Sequence, residues 1–129
     1  MKAPRILIVE DDFSHRAAME KVLQLRGYKT CSCESGEHAV PKLREEAFGV
    51  LITDFHMHGM DGLQLIREAK KIQPEMSAIL MTGFEAMETR VKEREKGVNG
   101  FFPKPIEWDE LLLFLDTLIR EQRKGNRTR

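Results

Sequence analysis

The chain is poor in the residues that cross-link small secreted folds. Of its 129 residues only two are cysteine, Cys31 and Cys33. So close together in the chain they do not easily form a structural bridge, and two ligands alone do not make a zinc site. They read as reduced thiols in a strand of a cytoplasmic protein. Charge of one sign is not in excess either, with 21 basic against 21 acidic residues. That balance argues against direct nucleic-acid binding through a broad basic surface. No run of about 18 apolar residues occurs, so no segment reads as a membrane span. The opening MKAPRILIVEDD has an apolar run of only Ile6 to Val9 before acids follow, unlike a secretory leader.

What is present suits one folded domain, expected over 1–120. Its 41% apolar residues are enough for one packed core. Charge is unevenly placed: REQRKGNRTR at 120–129 carries five basic residues and one acid. Residues 121–129 therefore read as a basic polar tail or linker start, with contact to an acidic partner as the sharper alternative.

Strand and helix signals alternate along the chain. Ile6-Leu7-Ile8-Val9, Val50-Leu51-Ile52-Thr53 and Ala78-Ile79-Leu80-Met81 are short aliphatic runs of the kind buried on both faces of a parallel sheet. Weaker strands are expected at 29–33 and 100–102. Helices are expected at 13–26 with Ala18, Val22 and Leu25 inward, from Ser35 to about Glu46, at 63–72, at 86–96, and from Trp108 to about Arg120. The last has Leu111, Leu112, Leu115, Leu118 and Ile119 on one face. Pro41 inside the second helix predicts a kink or a later start. Five strand-helix repeats predict an α/β, doubly wound parallel sheet with its site beyond the carboxyl ends of the strands.

At those ends stand Glu10-Asp11-Asp12, Asp54, Thr82 and, after the fifth strand, Lys104-Pro105. Taken singly, each reads as a cap, a turn former or a surface lysine. Together at four strand ends they read as chemistry. Crowded carboxylates repel by several kcal/mol unless a cation joins them. Mg²⁺ takes carboxylate and phosphate oxygens, a carboxylate can attack phosphorus, and a lysine with a hydroxyl can stabilise the equatorial oxygens in transfer. Asp12 is better read as a helix cap. His56 and His58, two apart in a loop, impose no geometry for a transition metal.

Through the blocks ILIVEDD, VLITDFHMHGMDGLQL, AILMTG and GFFPKP, residues 5 to about 120 resemble the response-regulator receiver domain of two-component phosphorelay signalling. The resemblance implies a flavodoxin-like (βα)5 fold with strand order 2-1-3-4-5. It implies Asp54 as phosphoacceptor, with Glu10, Asp11, Asp54 and the backbone carbonyl of His56 around Mg²⁺, Mn²⁺ being the alternative ion. Thr82 and Lys104 would meet the phosphoryl group, Thr82 and Phe101 would be the switch pair, and the bond before Pro105 would be cis. Two departures stand out. His58 occupies a place where the family often has proline, so the loop after Asp54 lacks that restraint, and Phe101 has no hydroxyl to bond when turned inward.

The implied function is Mg²⁺-dependent phosphorylation of Asp54 by a sensor histidine kinase or histidine phosphotransfer protein. It would switch a surface of the fourth helix, fifth strand and fifth helix toward an output domain or protein target, with a homodimer through the fourth and fifth helices as a family-level alternative. Phe84 is read as a hindrance to the water that hydrolyses the phosphoaspartate. On this reading the chain is a signalling phosphoacceptor and not an enzyme with an outside substrate. An aspartyl phosphatase would need an acid where His56 stands. A flavin carrier would need a glycine-rich phosphate loop where Glu10-Asp11-Asp12 repels phosphate.

Overall fold

The computed structural model describes residues 4–83 and 97–127. β1 (Arg5–Val9), β2 (Lys29–Cys33), β3 (Val50–Asp54), β4 (Ser77–Thr82) and β5 (Gly100–Pro103) form one parallel sheet in the order β2-β1-β3-β4-β5. Helices α1 (Phe13–Leu25), α2 (Gly36–Glu45) and α3 (Gly62–Ile72) and a C-terminal helix (Trp108–Arg127) cover it. This is the expected flavodoxin-like α/β arrangement. The helix expected at 86–96, and Phe84, lie outside the described residues.

The period-two alternation of the strands divides the core into two layers. Leu7, Val9, Leu51, Ala78 and Leu80 face Leu43 of α2 and Leu65 and Ile66 of α3. Ile6, Ile8, Val50, Ile52, Ile79 and Met81 face Met19 and Leu23 of α1 and Leu111, Leu115 and Ile119 of the C-terminal helix. Each fully buried aliphatic side chain contributes about 2 kcal/mol, which is why runs apolar on both faces end up as central strands.

Local capping sets the helix starts. Asp12 Oδ1 accepts from the Ser14 and His15 N–H groups at 3.0 and 3.4 Å, the expected cap. Ser35 Oγ accepts from His38 N–H at 3.1 Å. Asp61 and Gln64 form a reciprocal capping box at 2.9 Å each way.

Three expectations need correction. The inward face of α1 is Met19 and Leu23, with Val22 half-buried, while Ala18 is exposed and Leu25 is 79% exposed. Two overlapping apolar stripes fit the spacing, and the sheet buries the one carrying Met19 and Leu23. Of the two outcomes expected of Pro41, the later start does not occur: α2 begins at Gly36 and runs past the exposed Pro41 to Glu45. The last helix does not stop near Arg120 but continues to Arg127. Gln122 fastens the extension, donating through Nε2 to Gly49 O at 2.8 Å and Ser77 Oγ at 2.9 Å.

Cys31 and Cys33 are free thiols on β2. Burial is the main influence pushing the Cys33 thiol up, to about 11, and its Sγ donates to Ser35 O at 3.7 Å. Since thiolate is the reacting species, a shift from 9 to about 11 lowers the thiolate fraction at pH 8 by about a hundredfold. Peptide-resolved iodoacetamide kinetics should therefore show Cys33 reacting far more slowly in the folded chain than in urea. Equal rates would contradict this.

Candidate functional site

The chain order reverses between β1 and β3, the strands on either side of the point where it changes direction across the sheet, and a crevice opens there beyond the carboxyl ends. Val9 of β1 lies in register with Thr53 of β3, so Glu10 and Asp54, one residue further on, come side by side. Asp54 in turn pairs with Met81 of β4, and Thr82 pairs with Pro103 of β5. The register thus brings residues from four strand ends to one edge.

Glu10 is fully buried and Asp54 is only 6% exposed, while Asp11 is exposed. One carboxylate oxygen from each of the three lies within 4.8 Å of the others. Between the two buried acids sits the Lys104 ammonium, whose Nζ donates to Asp54 Oδ2 at 2.9 Å and to Glu10 Oε1 at 3.0 Å. Lys104 is held from behind by its own N–H, which donates to the carbonyl of buried Thr82 at 2.7 Å, and the bond to Pro105 is cis.

One ammonium does not compensate two buried carboxylates, and the two acids share it unequally. Burial pushes Glu10 up, but hydrogen bonds from His15, Lys104 and the Asp12 N–H, with the Lys104 charge, outweigh it and bring its pKa to about 2. Asp54 is pushed up to about 6, first by burial and then by the Glu10 charge, against the hydrogen bond from Lys104. For Lys104, burial lowers the pKa and the two carboxylates more than reverse it. Asp54 is therefore the acid short of positive charge.

The three carboxylates fit a hard divalent ion. Ligands 2.0–2.1 Å from Mg²⁺ stand at most about 4.2 Å apart, so the observed spread closes with small side-chain movement. The cluster contains no histidine, and among the described residues it is the only group of three or more metal-ligating side chains. His56 and His58 are exposed, and His56 packs edge-on to Phe55 with ring centroids 4.7 Å apart. Phe101 is half-buried on β5, opposite Leu80.

Sequence reasoning missed three supports. His15 Nδ1 bonds Glu10 Oε1 at 2.5 Å. Glu37 of α2 accepts from the Met60 N–H at 3.0 Å and so restrains the β3–α3 loop where a proline is missing. Gly62 lets α3 start directly against the Asp54 backbone: a Cβ there would stand 2.3 Å from the Asp54 carbonyl oxygen. A glycine after Met-Asp was the available signal for the last; nothing marked the other two.

Comparison with known proteins places this geometry. Residues 6–116 match the family described as the response regulator receiver domain. Among characterised relatives, the transcriptional regulatory protein ZraR of Escherichia coli (strain K12) is 32% identical over 114 residues, covering 88% of this chain and 26% of its own length. The response regulator protein FleR of Pseudomonas aeruginosa is 36% identical over 110 residues, or 85% of this chain and 23% of its own. The chain thus spans about a quarter of the length of these relatives. A CheY-like response regulator receiver domain protein from Methanospirillum hungatei superposes with a TM-score of 0.90 at 27% identity, covering 96% of this chain and 99% of the other.

Proposed function

The chain belongs to the response regulator receiver domain family, and on that premise we propose that it is a switch phosphorylated on Asp54 by a sensor histidine kinase or a histidine phosphotransfer protein. The observation that carries this reading is the placement of Asp54: nearly buried, at the sheet's carboxyl edge, 2.9 Å from Lys104 and within reach of two further carboxylates.

A carboxylate oxygen of Asp54 attacks the donor phosphorus. The new P–O bond forms as the P–N bond to the donor imidazole breaks, and that nitrogen keeps the bonding electron pair. Lys104 already touches Asp54 and stands ready to pair with the equatorial phosphoryl oxygens, while Thr82 at the end of β4 offers its hydroxyl. Mg²⁺, with Mn²⁺ as the alternative, would be held by Asp11, Asp54, the His56 carbonyl and, through water, Glu10; when bound it supplies the positive charge that Asp54 lacks. Burial of the carboxylates excludes bulk water and strengthens each of these contacts.

The product adds negative charge on Asp54, which draws Thr82 and Lys104 toward it and biases Phe101 inward on β5. The surface of β5 and the C-terminal helix then changes affinity for an output domain or a separate protein target, with dimerisation as the alternative output. The role is cytoplasmic signalling without turnover of an outside substrate. No helix among the described residues is long and apolar enough to cross a membrane.

The test is labelled acetyl phosphate with Mg²⁺. Wild type is expected to take up one phosphoryl group, and Asp54→Asn, or wild type with chelator, to take up none above background. Undiminished labelling of Asp54→Asn would overturn the assignment.

A further inference from the structure

We propose that His15 is a positioning residue for the divalent-cation site, fixing the Glu10 carboxylate through a hydrogen bond from Nδ1. The inference rests on the reading of Glu10, Asp11 and Asp54 as a cation site.

Glu10 is fully buried, so its carboxylate depends on hydrogen-bond partners from the protein. Oε1 accepts from His15 Nδ1 at 2.5 Å and from Lys104 Nζ at 3.0 Å, whereas Oε2 accepts the longer 3.3 Å contact from the Asp12 N–H. Oε1 is therefore the more firmly anchored oxygen, and Oε2 is the one that would turn toward the hydration shell of a cation. Lys104 is not a permanent anchor, because it also bonds Asp54 and is the group that follows a phosphoryl charge there. Once Lys104 turns away, His15 is the side chain that still holds Oε1. Its place is itself fixed: it lies in the first turn of α1, its N–H reaches the Asp12 cap, and its ring meets Trp108, the first residue of the C-terminal helix, with centroids 6.1 Å apart. Losing a partner that orients a metal ligand typically weakens metal binding by 10–100-fold, and Glu10, acting through water, places the effect at the low end of that range.

Two substitutions separate the hydrogen bond from the ring. His15→Asn keeps a nitrogen at the δ position and discards the ring. His15→Phe keeps a ring against Trp108 and discards the donor. Binding is read without any phosphoryl donor, by counting free Mn²⁺ from its electron paramagnetic resonance signal and displacing bound Mn²⁺ with Mg²⁺. The expected result is a dissociation constant about tenfold weaker for His15→Phe and within about twofold of wild type for His15→Asn. Circular dichroism of the metal-free proteins establishes folding, and His15→Leu, which also lacks the donor, takes the place of His15→Phe if that variant fails to fold. Unchanged affinity in His15→Phe, or weakening in His15→Asn equal to that in His15→Phe, overturns the proposal. Tighter binding in His15→Phe would also overturn it, by showing that the imidazole acts as a competing positive charge. If wild type binds no Mn²⁺, the cation-site reading falls and this inference with it; if wild type binds and His15→Phe binds equally well, the inference alone falls.

Discussion

Replacing Lys104 by Ala is expected to destabilise the metal-free protein by about 3 kcal/mol and to make its stability depend strongly on Mg²⁺. The ammonium lies between two carboxylates that are 0% and 6% exposed, and it donates to both. Taking it away leaves two buried anions side by side, with hydrogen bonds from His15 and the Asp12 N–H still reaching Glu10. Removing one member of a buried ion pair costs more than the pair itself contributes, because the remaining charge is stranded out of water. A divalent ion would then do double duty, so Mg²⁺ should stabilise Lys104→Ala more than wild type, by RT ln(1 + [Mg²⁺]/Kd) with the smaller Kd. Urea titrations with and without Mg²⁺ measure both effects. A cost under about 1 kcal/mol without metal, or no larger Mg²⁺ increment than in wild type, would show that the carboxylates do not depend on this lysine.

Gly62→Ala should be as damaging, for a steric reason. An added Cβ meets the Asp54 carbonyl oxygen at 2.3 Å and Leu80 Cδ1 at 2.8 Å. The leucine methyl can swing aside, but the carbonyl cannot, since it belongs to a central strand and its neighbour Phe55 is tied on both sides, by its N–H to Met81 O and by its O to the Gly62 N–H. Relief must come from moving β3 or the start of α3, at a cost of about 3 kcal/mol. The same movement displaces Asp54, so metal affinity should fall along with stability. Gly83→Ala is the control. Among the described residues nothing lies within 4 Å of a Cβ there, so it should be neutral to within about 0.5 kcal/mol. Thermal or urea unfolding of the two variants, paired with Mn²⁺ binding, distinguishes local packing damage from general intolerance of alanine near the site.

The acids and the lysine of the site were legible in the sequence because each ends, or closely follows, a strand. Parallel topology turns strand ends into neighbours, so Glu10 and Lys104, 94 residues apart, are brought together by sheet order alone. The central strands were legible for a related reason: a run buried on both faces must be apolar throughout. What was not legible depends on rotation or on contacts between elements. The inward face of α1 was misread because the helix's phase is set by the Asp12 cap and by the shape of the sheet, and the spacing of apolar residues fits more than one stripe. The helix beyond Arg120 was hidden by its polar composition, since Gln122 is fastened by hydrogen bonds to Gly49 and Ser77 and not by apolar burial. His15 and Glu37 act on residues in other elements, through contacts that exist only after the strand-to-helix turn and the β3–α3 loop have closed. Gly62, just before the helix expected at 63–72, carried a signal in its residue type, but its role is a close approach of one backbone to another, which appears only once β3 and α3 are packed.

The most direct test of the central claim is to locate the phosphoryl group. The protein is incubated with acetyl phosphate and Mg²⁺ and then treated with borohydride, which reduces an aspartyl phosphate to homoserine, and the peptides are sequenced by mass spectrometry. Homoserine at position 54, absent when chelator replaces Mg²⁺, is the expected result. Homoserine at Asp11 or Asp12 with residue 54 unchanged, or no reduced residue in a folded and Mg²⁺-saturated protein, would contradict the account.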